Sequence, residues 1–434
     1  MPIICAGVAS ADITPPVGVD LAGGAFGESA GVLHPLTARA LFLTDGFTGA
    51  LLISADVVGF DTPYAEAIRL AAARRCGVPV GNIMLAATHT HNGPATATYR
   101  NWGRPDAAYR QRLQRQLVEL AAQATASPQP AEIGAEYGEC AGVAVNRVAE
   151  NGPTDEQVGV VRIDTADGRP LAALVNYACH PVTLHGYHGL ITPDFPHLVR
   201  VDIREALGPE VEVFYLTGAS GDLNPAGFVF GNAENAPAVC RRAGQALATA
   251  ALRALARARG EQTGELACAT AECTLPLAPL PPDAVLEEMI EQLAAHLPEI
   301  ADPGPANWEF CETTTRLEWA REALAFNRSG RPRPTTRPIL LQALRLGPAA
   351  IVGIPGELFT TFGRQIKDAS ACPVTLISEQ TNGSEGYFPD QHAFTVKHYE
   401  AALCPMYCDL FFYQSHVGKV IARACGELLG QLVK

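Results

Sequence analysis

Several features are missing from this chain of 434 residues, and each absence excludes something. No run approaches the ~18 apolar residues of a membrane-spanning helix. The start, Met1-Pro2-Ile3-Ile4-Cys5-Ala6-Gly7, has neither the basic segment nor the apolar core of a signal peptide. No stretch is densely basic, so nucleic acid is not an expected partner. The 32 basic and 45 acidic residues give a net charge of −13, which mainly confers solubility. Twelve cysteines are scattered without zinc-knuckle spacing, since Cys404 and Cys408 lie in one turn with no second pair. The expectations are reduced cysteines, a cytoplasmic location and no stable membrane association. No internal repeat and no Gly- or Ser-rich linker divides the chain.

What is present suffices for a large core: 48% of residues are apolar and 18% charged. The pattern alternates strand and helix. Ala38–Leu43 and Ala50–Val58 are apolar runs around the turn Thr44-Asp45-Gly46-Phe47-Thr48-Gly49. Pro63–Cys76 is amphipathic and ends at Gly77-Val78-Pro79, and Ala107–Ala126 sets Leu113, Leu117 and Leu120 on one helical face. Ile83–Ala87, Glu132–Cys140, Gln157–Asp164, Leu171–Cys179, Val211–Thr217 and Val374–Ser378 read as strands. Ile339–Leu346 and Ala349–Ile354 pair around Gly347-Pro348. Pro196–Leu207, Ala236–Arg259, Leu358–Ser370 and Ser415–Leu432 read as helices, as do Pro281–His296 and Ala306–Phe326 between proline-rich breaks. This predicts one α/β domain over 1–434, a mixed β-sheet core flanked by helices, with a helical insertion over 276–334.

The chemistry-bearing residues stand where strands stop. Ile83–Ala87 runs into Thr88-His89-Thr90-His91 and then turns at Asn92-Gly93-Pro94. In an extended segment the i, i+2 spacing points both rings to one side, so that one can bind a metal while the other faces substrate. His180 ends another apolar strand at Pro181, and Glu357 follows the Pro355-Gly356 turn after Ala349–Ile354. Three ligand-type side chains at strand ends suit a catalytic zinc with an open position. Taken singly, each also reads as a hydrogen-bonded loop histidine or a first-turn glutamate serving a helix dipole.

The ordered motifs resemble those of the neutral, non-lysosomal ceramidases and their shorter bacterial relatives, over most of the chain. They are Gly7-Val8-Ala9-Ser10-Ala11-Asp12-Ile13-Thr14-Pro15-Pro16, His34-Pro35-Leu36-Thr37-Ala38-Arg39-Ala40, Thr88 to Pro94, Asn146-Arg147 and His180-Pro181-Val182. Gly221-Asp222-Leu223-Asn224-Pro225, Pro355-Gly356-Glu357-Leu358-Phe359-Thr360-Thr361, and Tyr387 with Tyr399-Glu400 complete the series. The resemblance implies the catalytic-domain fold and one zinc held by His89, His180, Glu357 and Tyr387. It also implies that His91 and Arg147 contact the scissile amide and that Tyr399 lines the site. Where the ceramidases carry a serine, this chain has Asn224, which can hydrogen-bond a substrate but cannot act as a nucleophile or proton carrier.

A zinc in such a site lowers the pKa of bound water to roughly 7, so the serine is dispensable. Arg147 and Tyr399 are then expected at the oxyanion, His91 as proton donor to the leaving group, and Asp222 or Asp56 behind a ligand. The chain ends soon after its catalytic part, without the carboxy-terminal β-sandwich of the ceramidases. The expectation is therefore hydrolysis of an amide, ester or lactone in a small soluble molecule, by a protein that can form a homo-oligomer. Two alternatives stand beside it: a ceramidase-like N-acyl amidase, and a ligand-binding protein that retains the metal pocket with little catalysis.

Overall fold

The computed structural model describes residues 3–24, 27–260, 264–301, 303–304 and 306–432. An eight-stranded sheet runs in the order Glu212–Thr217, Pro170–Tyr177, Gln157–Thr165, Gln129–Glu139, Cys5–Asp12, Thr37–Thr44, Gly49–Ala55, Ile83–Ala87. A four-stranded sheet, Leu266–Pro276, Thr336–Leu346, Ala349–Gly353 and Val374–Ser378, lies over one of its faces.

Period-two patterning explains the layers. Ala38, Ala40 and Phe42 turn to the helices Thr62–Cys76 and Ala107–Ala126, whereas Leu41 and Leu43 turn to Leu344, Leu346 and Ile351 of the second sheet. Each fully buried Leu or Ile in this interface stabilises the fold by roughly 1.5–3 kcal/mol. The helices Phe195–Leu207 and Ala236–Arg257 cover the rest of the outer face of the large sheet. Thr360–Asp368 and Val417–Leu429 cover the outer face of the small one. The result is a helix–sheet–sheet–helix stack, a mixed sheet core flanked by helices as the sequence predicts.

Three parallel strand pairs position the site: Gly49–Ala55 with Ile83–Ala87, Pro170–Tyr177 with Glu212–Thr217, and Ala349–Gly353 with Val374–Ser378. Each is joined through a crossover helix, which places loop chemistry at the carboxyl ends of the strands. The two edges of the large sheet also meet, since Thr217 Oγ1 donates to the Thr88 carbonyl at 2.7 Å and Ser54 Oγ to that of Tyr215 at 3.1 Å. His89 and His180, at opposite edges of the sheet, are thereby brought together.

The sequence reading needs four corrections. Cys5–Asp12 is a strand of the large sheet and Leu266–Pro276 an edge strand of the small one; neither was expected as a strand. The helix read from Leu358 begins at Thr360, because Glu357–Leu358 pairs in parallel with Tyr387–Phe388. The chain at His89 is not extended: its φ is +68°, in the left-handed region. Between Leu266–Pro276 and Thr336–Leu346, the helices Asp283–His296 and Trp308–Arg328 pack through Leu286, Trp319, Ala320 and Ala323. Among the described residues no helix is long and apolar enough to cross a membrane.

Candidate metal centre

The left-handed turn at His89 folds the segment after Ile83–Ala87 inward, and the backbone N–H of His89 donates to the Val57 carbonyl at 2.9 Å. A non-glycine residue at positive φ is strained, and such strain gathers at functional sites. The convergence of rings expected from an extended segment therefore arises from a turn. His89 and His91 meet nearly perpendicular, with centroids 4.7 Å apart, and His180 lies 5.0 Å from His89.

Backbone carbonyls fix all three rings. His89 Nδ1 donates to Val58 O at 2.5 Å, His91 Nδ1 to Gly23 O at 2.8 Å, and His180 Nδ1 to Ser220 O at 2.7 Å. A carbonyl only accepts, so the ring proton sits on Nδ1 and each Nε2 carries a lone pair. Those lone pairs converge: His91 Nε2 is 3.2 Å from His89 Nε2, and Glu357 Oε2 is 2.8 Å from His180 Nε2 and 3.4 Å from His89 Nε2. His89, His91 and His180 form a buried group able to hold a metal ion.

Electrostatics keep these groups in ligand form. Burial, then the Arg147 charge, lowers the His180 pKa to about 4, and burial with the neighbouring histidines holds His91 well below its ordinary value. Burial alone would raise Glu357, but His89 and His180 outweigh it and keep the carboxylate well below the usual range. Two buried lone pairs facing one another, as at His89 Nε2 and His91 Nε2, are costly. A divalent cation relieves that cost, and second-contact carbonyls on metal-binding histidines are the usual arrangement.

Tyr387 is the register partner of Glu357, and its hydroxyl lies 3.3 Å from His180 Nε2. Arg147 reaches over from the turn after Ala144–Asn146. Its Nε faces Glu400 at 2.9 Å, Nη1 donates to Asn224 Oδ1 at 3.0 Å, and Nη2 donates to Gly221 O at 2.9 Å and Tyr387 Oη at 3.0 Å. One N–H of Nη1 is left for a ligand. Asn224 must present its oxygen to a donor-only guanidinium, which leaves its NH2 group for a ligand. Tyr399 sits beside Tyr387, ring centroids 6.2 Å apart, and burial keeps its phenol protonated.

All eight expected site residues are thus brought into one neighbourhood; Asp222 and Asp56 are not. Asp222 accepts from Thr360 N and Oγ1 and from Asn146 Nδ2, tying a helix start to the strand Ala144–Asn146. Asp56 is spent on a bidentate pair with Arg200 at 2.8 Å and on Thr37 and Thr88.

The sequence reading missed Gln380, whose Nε2 donates to Glu357 Oε1 at 3.2 Å, and the role of Glu400 as the ion-pair partner of Arg147. It also missed a cavity of about 370 Å³ beside the centre, lined by Arg147, Asn224 and Tyr399 together with Trp102, Phe230 and Trp308. No single position signals that cavity, because its aromatics come from three separate connections.

No protein-family profile matches the chain. Neutral ceramidase B of Dictyostelium discoideum is 28% identical across 26% of this chain, a match that spans 18% of that relative's length. The crystal structure of neutral ceramidase from Pseudomonas aeruginosa superposes with a TM-score of 0.74 at 18% identity, covering 99% of this chain and 74% of that one. A ceramidase structure described as complexed with C2 gives 0.75 at 18% identity, covering 100% and 76%. The chain has the fold of the neutral ceramidase catalytic domain, and 26% of it is similar in sequence to a neutral ceramidase.

Proposed function

We propose that this protein is a zinc-dependent hydrolase that cleaves an amide bond, or an ester or lactone, of a small soluble substrate with activated water. The observation that supports this reading is the buried convergence of three imidazole lone pairs and the Glu357 carboxylate next to a ligand-sized cavity. His89, His180, Glu357 and Tyr387 would hold the ion. When bound, zinc polarises a carbonyl and lowers the pKa of water to ~7.

The chain's own residues supply the rest. His91, neutral and with its Nε2 lone pair turned inward, takes a proton from the attacking water and passes it to the leaving nitrogen. A neutral imidazole must accept the proton before it delivers it, so the donation expected of His91 follows an acceptance step. The remaining Arg147 N–H and the Asn224 amide would stabilise the carbonyl oxygen as charge develops there, beside Tyr399 on the cavity wall. Glu400 fixes Arg147 from behind.

The test uses protein stripped of metal by chelation, then given one equivalent of zinc and assayed on N-acyl amides, esters and lactones. Hydrolysis should return with zinc and stay absent in His180→Ala. Full-rate hydrolysis by the stripped protein would reject the reading. A zinc-loaded protein that turns over nothing in the panel would return it to the class of ligand-binding proteins.

A further inference from the structure

Building on the proposed hydrolase, we infer that the apolar group of its substrate is compact, and that Trp102 and Trp308 set its size. The cavity adjoins the metal centre through Arg147 and Gly23. Gly23 O accepts from both His91 Nδ1 and His185 Nε2, so one carbonyl joins the centre to the pocket wall. From His185 the wall continues through Phe230, centroids 5.0 Å apart, and Phe230 lies 5.4 Å from Trp308. Trp308 stands 5.9 Å from Trp102, which packs on Tyr407 at 4.4 Å. Trp102, Phe230 and Trp308 line the cavity together with Arg147, Asn224 and Tyr399.

The wall is mixed in polarity: the Arg147 guanidinium, bonded to Tyr387 of the centre, and the Asn224 amide supply polar groups, and Trp102, Phe230 and Trp308 supply aromatic faces. Among the described residues Arg147 is the one Lys or Arg on the wall and no carboxylate lines it, so a cationic ligand is disfavoured. Phe230 is 55% exposed and Val229 59% exposed. Phe230 lines the cavity, and a ligand bound there would cover its exposed ring.

Size follows from volume. The cavity of about 370 Å³ lies near the lower end of the ~300–1,000 Å³ typical of small-molecule sites. A volume in that range suits a compact group such as phenylacetyl or hexanoyl. Trp308 is the first residue of its helix, capped by the Asn307 side chain, which accepts from Phe310 N at 3.1 Å. The ring that limits the cavity is thus carried by the segment between Leu266–Pro276 and Thr336–Leu346 and not by the main sheets.

The experiment compares wild type with Trp308→Ala, both zinc-loaded, in two readouts. In the first, kcat/KM is measured for phenylacetyl, hexanoyl and hexadecanoyl amides of one amine. Wild type should favour the first two by ~10-fold or more, and Trp308→Ala should shift the ratio toward hexadecanoyl by a similar factor. In the second, hexanoate and phenylacetate are titrated calorimetrically; both should bind wild type and weaken ~10-fold in the variant at unchanged zinc content. Binding without turnover would remove the hydrolase reading and keep the pocket assignment. A wild-type preference for hexadecanoyl, or equal binding of the short acids by both proteins, would overturn the inference. Trp308→Phe, which keeps an aromatic face, serves as the control for folding and should retain most of the preference.

Discussion

The metal centre and the aromatic cavity share a boundary at Arg147, Asn224 and Tyr399 but are built differently. In the centre, every ring is pinned by a backbone carbonyl at a strand end, and the side chains are almost wholly buried. In the cavity, Phe230 is largely exposed and Trp308 is only partly buried, and both come from connections. The centre draws on the joint between the two sheet edges, so its geometry is set by the whole core. The cavity draws on segments that can change without disturbing that core. On the proposed function, reaction type and substrate choice would be carried by separable parts of the molecule.

The sharpest way to break this comparison is to damage the centre alone. Glu357→Gln removes the carboxylate toward which His89 and His180 converge and should lower kcat/KM by ~10³-fold, the several kcal/mol that a Lewis acid contributes. Binding of hexanoate's apolar end in the cavity should change far less. Arg147→Met should cost ~10²-fold in kcat. It also leaves Glu400, which is 1% exposed, with His398 as its remaining charged partner, and lowers stability. Adding Glu400→Gln should restore much of the melting temperature and none of the kcat; restored kcat would assign Arg147 a purely structural part.

Gly23 tests the joint between the two regions. A Cβ there would lie 2.6 Å from the His91 ring, and the residue has φ +101°. Gly23→Ala should displace His91 and reduce kcat by ~10-fold, in the range found for groups that orient a ligand. Unchanged kcat with an intact fold would show that His91 is not engaged in the reaction. Asn224→Ala is expected to be milder: one hydrogen bond worth ~0.5–1.5 kcal/mol, seen mainly in KM. A thousandfold fall in kcat would instead put Asn224 in the chemical step.

The stability of the metal-free protein should depend on pH with a definite sign. Burial lowers His180, His185 and His197 to about 4 from 6.5, so the unfolded chain binds more protons between these values. Their stabilisation is complete above pH 6.5 and is lost as pH falls toward 4. Asp222, raised by burial to about 6, acts oppositely, as do Asp194 and Glu379, raised by burial, and His398, raised by Glu400; His34, His91, Glu357 and Glu400, all held low, act with the three histidines. Urea denaturation of the stripped protein should show a net loss of stability on acidification from pH 6.5 to 4.

Strand ends were legible in the sequence because β-branched and apolar runs stop abruptly at Thr88-His89, at His180-Pro181 and before Pro355-Gly356. What joins them was not. The pairing of Glu357 with Tyr387 and the closure of Thr217 onto Thr88 are contacts between segments far apart in the chain, which no local pattern encodes. Cys5–Asp12 and Leu266–Pro276 escaped notice because Ala, Gly, Ser, Thr and Cys fill them and carry little hydrophobic contrast. Asp222 looked like a ligand's support from its place on a Gly-Asp turn, but the Thr360 N–H and hydroxyl claim its carboxylate. The aromatic cavity depends on where three connections happen to meet, so even correct element boundaries would not have revealed it.

The central claim is that the inward lone pairs of His89 and His180, with Glu357, form a zinc site. Metal analysis of purified protein compared with a His89→Ala, His180→Ala double variant tests it most directly. The account predicts one zinc per chain in the wild type and near-complete loss in a variant that remains folded by circular dichroism. A folded double variant that still holds one zinc per chain would contradict it.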